Sequence, residues 1–452
     1  MRYDGTSRFA RNKRWNLFPS FSAGWNVARE SFMEDISNVI NTLKLRGSWG
    51  ELGNQNTDNL YPYIQLMKFA AQDKESHWLI NNARPNTANA PDLISALLGW
   101  ERMRSWNIGV DLGMLNNRLT LSFDWFNRKT VDMVGPAPEL PVTLGAAVPK
   151  TNNTDMQSVG FELDLGWQDH INGFRYGVHF LLSDDRQKIL KYPNPTKNLS
   201  QYNSGHYMGE IWGFETIGIA KSDEEMAAHL ATTNQDDLGS KWAAGDIMYR
   251  DLDGDGKITD GSTLDEPGDK RIIGNSSPRF RFGLDLTASY KGFDFRAFFQ
   301  GVMKRDAWLN DNMFWGATGG IWSSSCFTSH LDFFRPEGDE MGANLDAYFP
   351  RPLVDNYAKN QKVQTGYLQN AAYMRLKNLQ IGYTLPNHIT QKIGMSNVRI
   401  FFSAENVFTI TGLPDGFDPE TIHTGYGSGD DMWSSKTYPL SRTFSTGISV
   451  NF

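Results

Sequence analysis

The feature that most constrains this chain is a side-chain alternation of period two that recurs along much of its length. In "RLTLSFDWFNRK" one parity carries Leu119, Leu121, Phe123 and Trp125, and the other carries Arg118, Thr120, Ser122 and Asp124. Successive strand side chains point to opposite faces, so this is a strand with one oily and one wet face. The pattern returns in "TLKLRGSWG", where Leu43, Leu45 and Trp49 oppose Lys44, Arg46 and Ser48. In "WNIGVDLG", Trp106, Ile108, Val110 and Leu112 oppose Asn107, Gly109 and Asp111. "PRFRFGLDLTASYKGFDFRAFFQG" reads as two strands joined at Lys291-Gly292, a tight hairpin turn in which glycine supplies the positive φ. In the first of them Phe280, Phe282, Leu284 and Leu286 oppose Arg281, Gly283, Asp285 and Thr287. In "MRLKNLQIGYTL" the apolar parity changes between Leu376 and Leu379, which predicts a bulge near Lys377-Asn378.

Amphipathic strands build either a soluble sandwich with its oily faces inward or a barrel with them turned to lipid. The connections favour the barrel. Some are a few residues long, whereas Lys304 to Gln369 and Thr411 to Tyr438 are far longer, and short turns at one end with long loops at the other are the plan of an outer-membrane barrel. Aromatics near strand ends, Trp15, Trp25, Trp106, Trp125, Tyr290 and Tyr383, suit girdles at a membrane interface. Aromatic residues make up 13% of the chain, yet mean hydropathy is only -0.48, so they are dispersed among polar neighbours. No apolar run reaches the ~18 residues that a membrane helix needs. The net charge of -7 argues against a nucleic-acid partner, and the single Cys326 permits no internal disulfide. "MRYDGTSRFARNKRW" holds no apolar core of a secretion signal, so either the chain is cytoplasmic or it lacks its natural start.

The last strand is informative. In "PLSRTFSTGISVNF" the apolar parity runs Leu440, Phe444, Ile448, Val450 and Phe452, so the sequence ends inside a strand on an aromatic. A terminal Phe452 resembles the signal by which the barrel-assembly machinery recognises outer-membrane barrels for insertion.

"RWNLFPSFSAGWNV", "LKLRGSWGELGNQ", "GDIMYRDLDGDGKI", "RIIGNSSPRFRFGLDLTASYKGFDFRAFFQG", "YMRLKNLQIGYTLP" and "VRIFFSAENVFTITGLPDGFDPE" follow one another as they do in SusC-like TonB-dependent outer-membrane transporters. The resemblance covers nearly the whole chain. It implies an all-β fold, an antiparallel transmembrane β-barrel with long extracellular loops. Residues 1–452 would be the C-terminal β-barrel portion, with the plug and N-terminal domains absent. The count agrees: about a dozen to fourteen strands are legible, against the ~22 of plugged outer-membrane transporters. The resemblance further implies outer-membrane lipid around the barrel, a SusD-like surface lipoprotein as lid, and uptake of an oligosaccharide or peptide. TonB would act through the missing N-terminal region. A barrel-anchored adhesin or glycan-binding protein without transport stays open as the alternative, and so does a secreted calcium- and glycan-binding sandwich, although Phe452 conflicts with it.

"DLDGDGKITDG" follows the spacing of a calcium loop. Asp251, Asp253 and Asp255 fall at its first, third and fifth positions, Gly256 at the sixth, the Lys257 carbonyl at the seventh and Thr259 at the ninth. The twelfth position is Ser262, which cannot supply the closing bidentate carboxylate, so Asp260, Asp265 or another later acid would have to fold back. The flanks, strand-like upstream and rich in Gly and Pro downstream, exclude the helix pair of a sensor. The expectation is a structural Ca²⁺ clip in an extracellular loop, with affinity of about 0.1–1 mM. An acidic, Gly-rich turn without metal is the alternative.

No catalytic constellation appears: the eight histidines lack H-E-x-x-H spacing, and neither a nucleophile elbow nor a Walker loop is present. Acidic doublets such as Asp184-Asp185 and Asp236-Asp237 read as solvated loop residues, so the chain is not expected to be an enzyme. "SDEEMAAHLA" reads as a short loop helix with a capping box from Ser222 to Glu225. Trp308, Trp315 and Trp322 in one long loop, and Tyr426 and Trp433 in another, are candidates to stack on sugar rings, or else to pack the loops together. Asp124, Arg128, Arg281, Asp285 and Arg296 are candidates to line a translocation path.

Overall fold

The computed structural model describes the chain except for residues 58–59, 68, 71–78, 83–86, 89–90, 92, 96–97, 138–142, 144–147, 311, 317–326 and 423–437. One twelve-stranded antiparallel sheet dominates it. Its strands are β1 (Ser20–Asn26), β2 (Ile40–Asn54), β3 (Glu101–Met114), β4 (Leu119–Gly135), β5 (Thr151–Ile171), β6 (Phe174–Lys191), β7 (Arg279–Tyr290), β8 (Phe293–Lys304), β9 (Tyr373–Thr384), β10 (Asn397–Glu405), β11 (Thr409–Thr411) and β12 (Thr443–Asn451). Each pairs with its neighbour in the chain, except that β10 and the short β11 both lie along β9 while β12 pairs with β10. This is an up-and-down meander. Among the described residues β1 and β12 pair on one flank only, so the sheet is open.

The register shows why period two governs the sequence. One row across six strands reads Leu45, Val110, Phe123, Leu163, Leu182 and Phe282. One residue along each strand, the row reads Arg46, Gly109, Asp124, Glu162, Ser183 and Arg281. The oily face is left uncovered: Leu45, Trp106, Ile108, Phe293, Ile400 and Ile448 are all exposed. A soluble sandwich would bury that face, and an apolar expanse of this size is stable only against another apolar phase. The exposed face thus favours the expected barrel over the sandwich alternative.

The two ends of the meander differ. One carries tight connections, including the hairpins at Asn172-Gly173 and Lys291-Gly292. In each, both residues have positive φ (49° and 82°, 45° and 89°), so Lys291 shares the left-handed conformation expected of Gly292 alone, as a type I′ turn requires. Phe174, Tyr290, Phe293 and Tyr383 cluster beside these turns, with the Phe293 and Tyr383 rings 4.5 Å apart. A second aromatic row, Phe21, Trp49 and Trp106, crosses three strands nearer the other end. Trp106 lies eight residues from the end of β3 at Met114, about 27 Å of strand, which after tilting approaches the height of a membrane barrel's apolar band. β5 is 21 residues long, about twice the length of strand that crosses a bilayer. The parity change in β9 is a bulge: Phe298 faces Asn378 and Phe299 faces Leu376, leaving Lys377 as the extra residue.

Candidate functional site at the long-loop end

The long connections, 192–278, 305–372 and 406–442, all leave the same end of the sheet, and their described parts fold together into a lobe. Its core holds Phe214, Ile247, Tyr249, Ile258, Phe314, Trp315, Phe349 and Tyr367. A buried polar network crosses it. The Asp246 carboxylate, wholly buried, accepts from Lys359 Nζ (2.8 Å), from the Arg351 guanidinium (3.0 and 2.7 Å) and from Asn360 Nδ2 (2.9 Å). Burial lowers the Lys359 ammonium pKa, and the Asp246 carboxylate opposes this. Burial also pushes the phenols of Tyr249 and Tyr367 up. These groups hold the lobe together as neutral donors or charge-paired members.

The wet face of the sheet is its inner wall. Arg46 bridges Asp111 (2.8 Å) and Asp124 (2.9 Å) across three strands, and Arg296 on β8 donates to Asp285 on β7. Arg128 lies over the Phe126 ring at 4.4 Å. Asp124, Glu162, Asp164 and Arg281 line an open cavity of about 780 Å³ against this wall, and Pro419 and Glu420 of the lobe line it too. The polar residues expected along a translocation path therefore share one face.

Two aromatic candidates are corrected. Trp315 is 2% exposed and donates its indole N–H to Leu309 O, and Trp308 packs against it at 5.9 Å, half-buried. Both pack in the lobe core, as the loop-packing alternative has it, and the buried Trp315 offers no open face to a sugar ring. Trp322, Tyr426 and Trp433 lie outside the described residues. The loop helix spans Asp223–Leu230; Ser222 Oγ accepts from Glu225 N, but the Glu225 carboxylate reaches back to Lys221 N, one residue beyond the expected box.

The acidic loop is built as a tight turn. Asp251 accepts from Gly254 N (2.6 Å) and Gly256 N (2.8 Å), Asp253 from Asp255 N (3.1 Å), and Asp255 from Lys257 N (2.8 Å). Gly254 and Gly256 have φ of 80° and 81°. Ligand oxygens of Asp251, Asp253 and Asp269 lie within 4.8 Å of one another. The acid that folds back is thus Asp269, whose carboxylate is fixed by Leu252 N (2.7 Å) and Thr259 N (2.8 Å). Sequence reasoning missed it, because nothing in the intervening Gly- and Pro-rich segment signals the return. Asp260 is not part of the cluster: it pairs with Lys270 (2.6 Å) and Lys362 (3.1 Å). The Asp255 carboxylate accepts from Lys257 N, the Thr259 N–H donates to Asp269, and the Lys257 backbone bridges Asn234. Burial, with the charges of Asp253 and Asp251, holds the Asp269 carboxyl above its usual range against those two N–H donors. The Asp251 carboxyl lies below it; burial raises it, but the Gly254 and Gly256 N–H groups outweigh that. Three converging carboxylates with one kept uncomfortable by its neighbours is a donor set that suits a hard divalent cation.

Comparison with known proteins places the architecture. The family model described as "TonB dependent receptor-like, beta-barrel" matches residues 1–407. TonB-dependent receptor P3 of Formosa agariphila is 28% identical over all of this chain and 43% of its own length. TonB-dependent receptor SusC of Bacteroides thetaiotaomicron is 25% identical over all of this chain and 42% of its own. The RagAB peptide importer in its closed-closed state superposes with a TM-score of 0.74 at 23% identity, over 100% of this chain and 45% of that one. The chain thus spans less than half the length of these relatives, which are named as receptors and importers and not as enzymes. With its meander, oily outer face and charged inner wall, the chain belongs to the TonB-dependent receptor β-barrel family.

Proposed function

We propose that this chain is part of the wall of an outer-membrane importer, SusC-like in kind, that takes up an oligosaccharide or a peptide with energy supplied through TonB. The observation that carries this reading is the pairing of an uncovered oily face with a charged inner wall, roofed at one end by a folded lobe. Outer-membrane lipid covers the oily face, and the barrel-assembly machinery receives the last strand through Phe452, which stands 90% exposed at the short-turn end. A SusD-like surface lipoprotein sits over the long-loop lobe. Strands from the rest of a longer polypeptide pair with β1 and β12, because unpaired edges in lipid cost several kcal/mol per backbone group. The Asp251, Asp253 and Asp269 cluster holds a structural Ca²⁺ that stiffens the lobe.

The test is native extraction from outer membranes through a tag in a loop, with uptake of labelled oligosaccharide and peptide measured in cells with and without TonB. TonB-dependent uptake and a co-purifying lipoprotein are expected. Surface binding that persists without uptake would replace this reading with a barrel-anchored adhesin.

A further inference from the structure

A second cavity, of about 190 Å³, opens at the long-loop rim of the sheet, where side chains from both faces of β6 line it, and shares Pro278 and Arg281 with the larger one. Its charges are unbalanced. Arg186, Arg279, Arg281 and Lys304 line it, whereas Asp185 is the one acid among the described residues that does, with Asp184 behind it on Arg279. Asp184 is taken by Arg279 in a bidentate pair (2.5 Å each), and Asp185 by Arg281 (2.5 Å). Arg186 and Lys304 have no carboxylate within ion-pair distance among the described residues. The Arg186 guanidinium instead lies 3.7 Å from the centre of the Tyr207 ring. A guanidinium stacked on an aromatic face is held in its plane while its N–H edge stays free, which is the geometry that receives two oxygens of a carboxylate or of a tetrahedral oxyanion in parallel hydrogen bonds.

The backbone is bent to make this arrangement. Phe280 takes φ +52°, rare for an aromatic residue, and the flanking Arg279 and Arg281 reach acids on opposite faces of β6. Regular strand geometry would turn both arginines to the same face. The opposite wall is fixed as well: Asn275 Nδ2 and Ser277 Oγ both donate to Met208 O. Strain of this kind persists where the surroundings over-determine it, and it collects at ligand clamps.

We propose that this rim cavity binds an oxyanionic group, a carboxylate or a sulfate, on the solute that enters the barrel, with Arg186 and Lys304 as its free cations. The inference rests on the importer reading for the source of the ligand. The cavity has about a quarter of the larger one's volume, 190 against 780 Å³, so it takes the charged group and leaves the remainder of the solute in the larger cavity.

The experiment is calorimetric titration of the full-length complex in nanodiscs with three disaccharide probes: one carrying a uronic carboxylate, one a sulfate, one neither. At least one charged probe should bind tenfold or more tightly than the neutral one, weaken as salt rises, and lose that advantage in the Arg186→Gln/Lys304→Gln variant while the neutral probe is unaffected. Which charged probe responds identifies the oxyanion. Equal binding of all three, or a charge preference that survives in the variant, overturns the proposal. Heat-modifiable migration of the variant barrel confirms that it is folded. Uptake is scored separately, so charge-selective binding without uptake would sink the importer reading and leave the site, and uptake without charge selectivity would do the reverse.

Discussion

Asp246 and Lys359, 113 residues apart, form an ion pair of 2.8 Å in which neither side chain is more than 1% exposed. The pair joins two long connections, and Lys359 extends it by donating to the carbonyls of Ser240 and Lys241 and lying over the Trp242 ring at 4.6 Å. Removing one partner strands a buried charge. Asp246→Ala should therefore destabilise the lobe by about 3–5 kcal/mol, and Lys359→Met, which leaves Asp246 with Arg351 and Asn360, by distinctly less. Limited proteolysis in 192–278 reads this directly. Equal protection of Asp246→Ala and the parent protein would show that the network does not hold the lobe.

Calcium removal is the second prediction. Asp253 is exposed and its Oδ1 accepts from Asp255 N, a bond that asparagine can keep. Asp253→Asn should leave the metal-free protein as stable as the parent, or slightly more so, because one of the two like charges beside Asp269 is gone. It should weaken Ca²⁺ binding at least tenfold. Melting curves with millimolar Ca²⁺ and with chelator check both halves, and an unchanged calcium-dependent shift in the variant would end the ion-clip reading.

Much of the fold was legible in the sequence, because a sheet wet on one side and oily on the other must alternate residue by residue, as Leu119 to Trp125 do. The Lys377 bulge was legible for the same reason: an extra residue shifts the parity, and the apolar register records it. The site was much less so. Residue type marks Trp308 and Trp315 as large and amphipathic but does not say whether a loop turns them out or in, and here the lobe core took them. Asp269 and the Asp246 to Lys359 pair depend on how long connections return through space, which no local period encodes.

The third prediction concerns the last residue. Phe452 stands at the short-turn end of β12 and makes no core contribution, so truncating its ring should not alter the stability of a barrel already in the membrane. Phe452→Ala should instead lower the amount of folded protein that reaches the outer membrane, by severalfold. Quantifying the heat-modifiable band against total expressed protein separates the two effects. Normal assembly yield in the variant would remove the insertion role.

The last prediction is a pH dependence. Arg375 on β9 donates to Asp418 (2.6 Å) and pairs with Glu420 (2.9 Å), and Asp418 also accepts from Glu420 N (3.0 Å) and Leu440 N (2.9 Å). The lobe segment is thereby latched to the inner wall and to the lead-in of β12. Burial raises the Asp418 carboxyl pKa, but the N–H groups of Glu420 and Leu440 and the Arg375 guanidinium outweigh it, so the pKa lies below the ordinary value. A carboxyl depressed in the folded state stabilises fully above its ordinary pKa of about 3.9, and that contribution is lost as pH falls through the depressed value. The latch should hold at neutral pH and loosen only below about pH 3.9. Asp418→Asn should be loose already at pH 7, by about 3 kcal/mol, because Arg375 then keeps Glu420 and the Thr409 hydroxyl but loses its buried carboxylate partner. Hydrogen exchange across 411–422 at pH 7 and pH 3, corrected for intrinsic rates, reads the change. Exchange in Asp418→Asn that matches the parent at pH 7 would show that the latch carries no load.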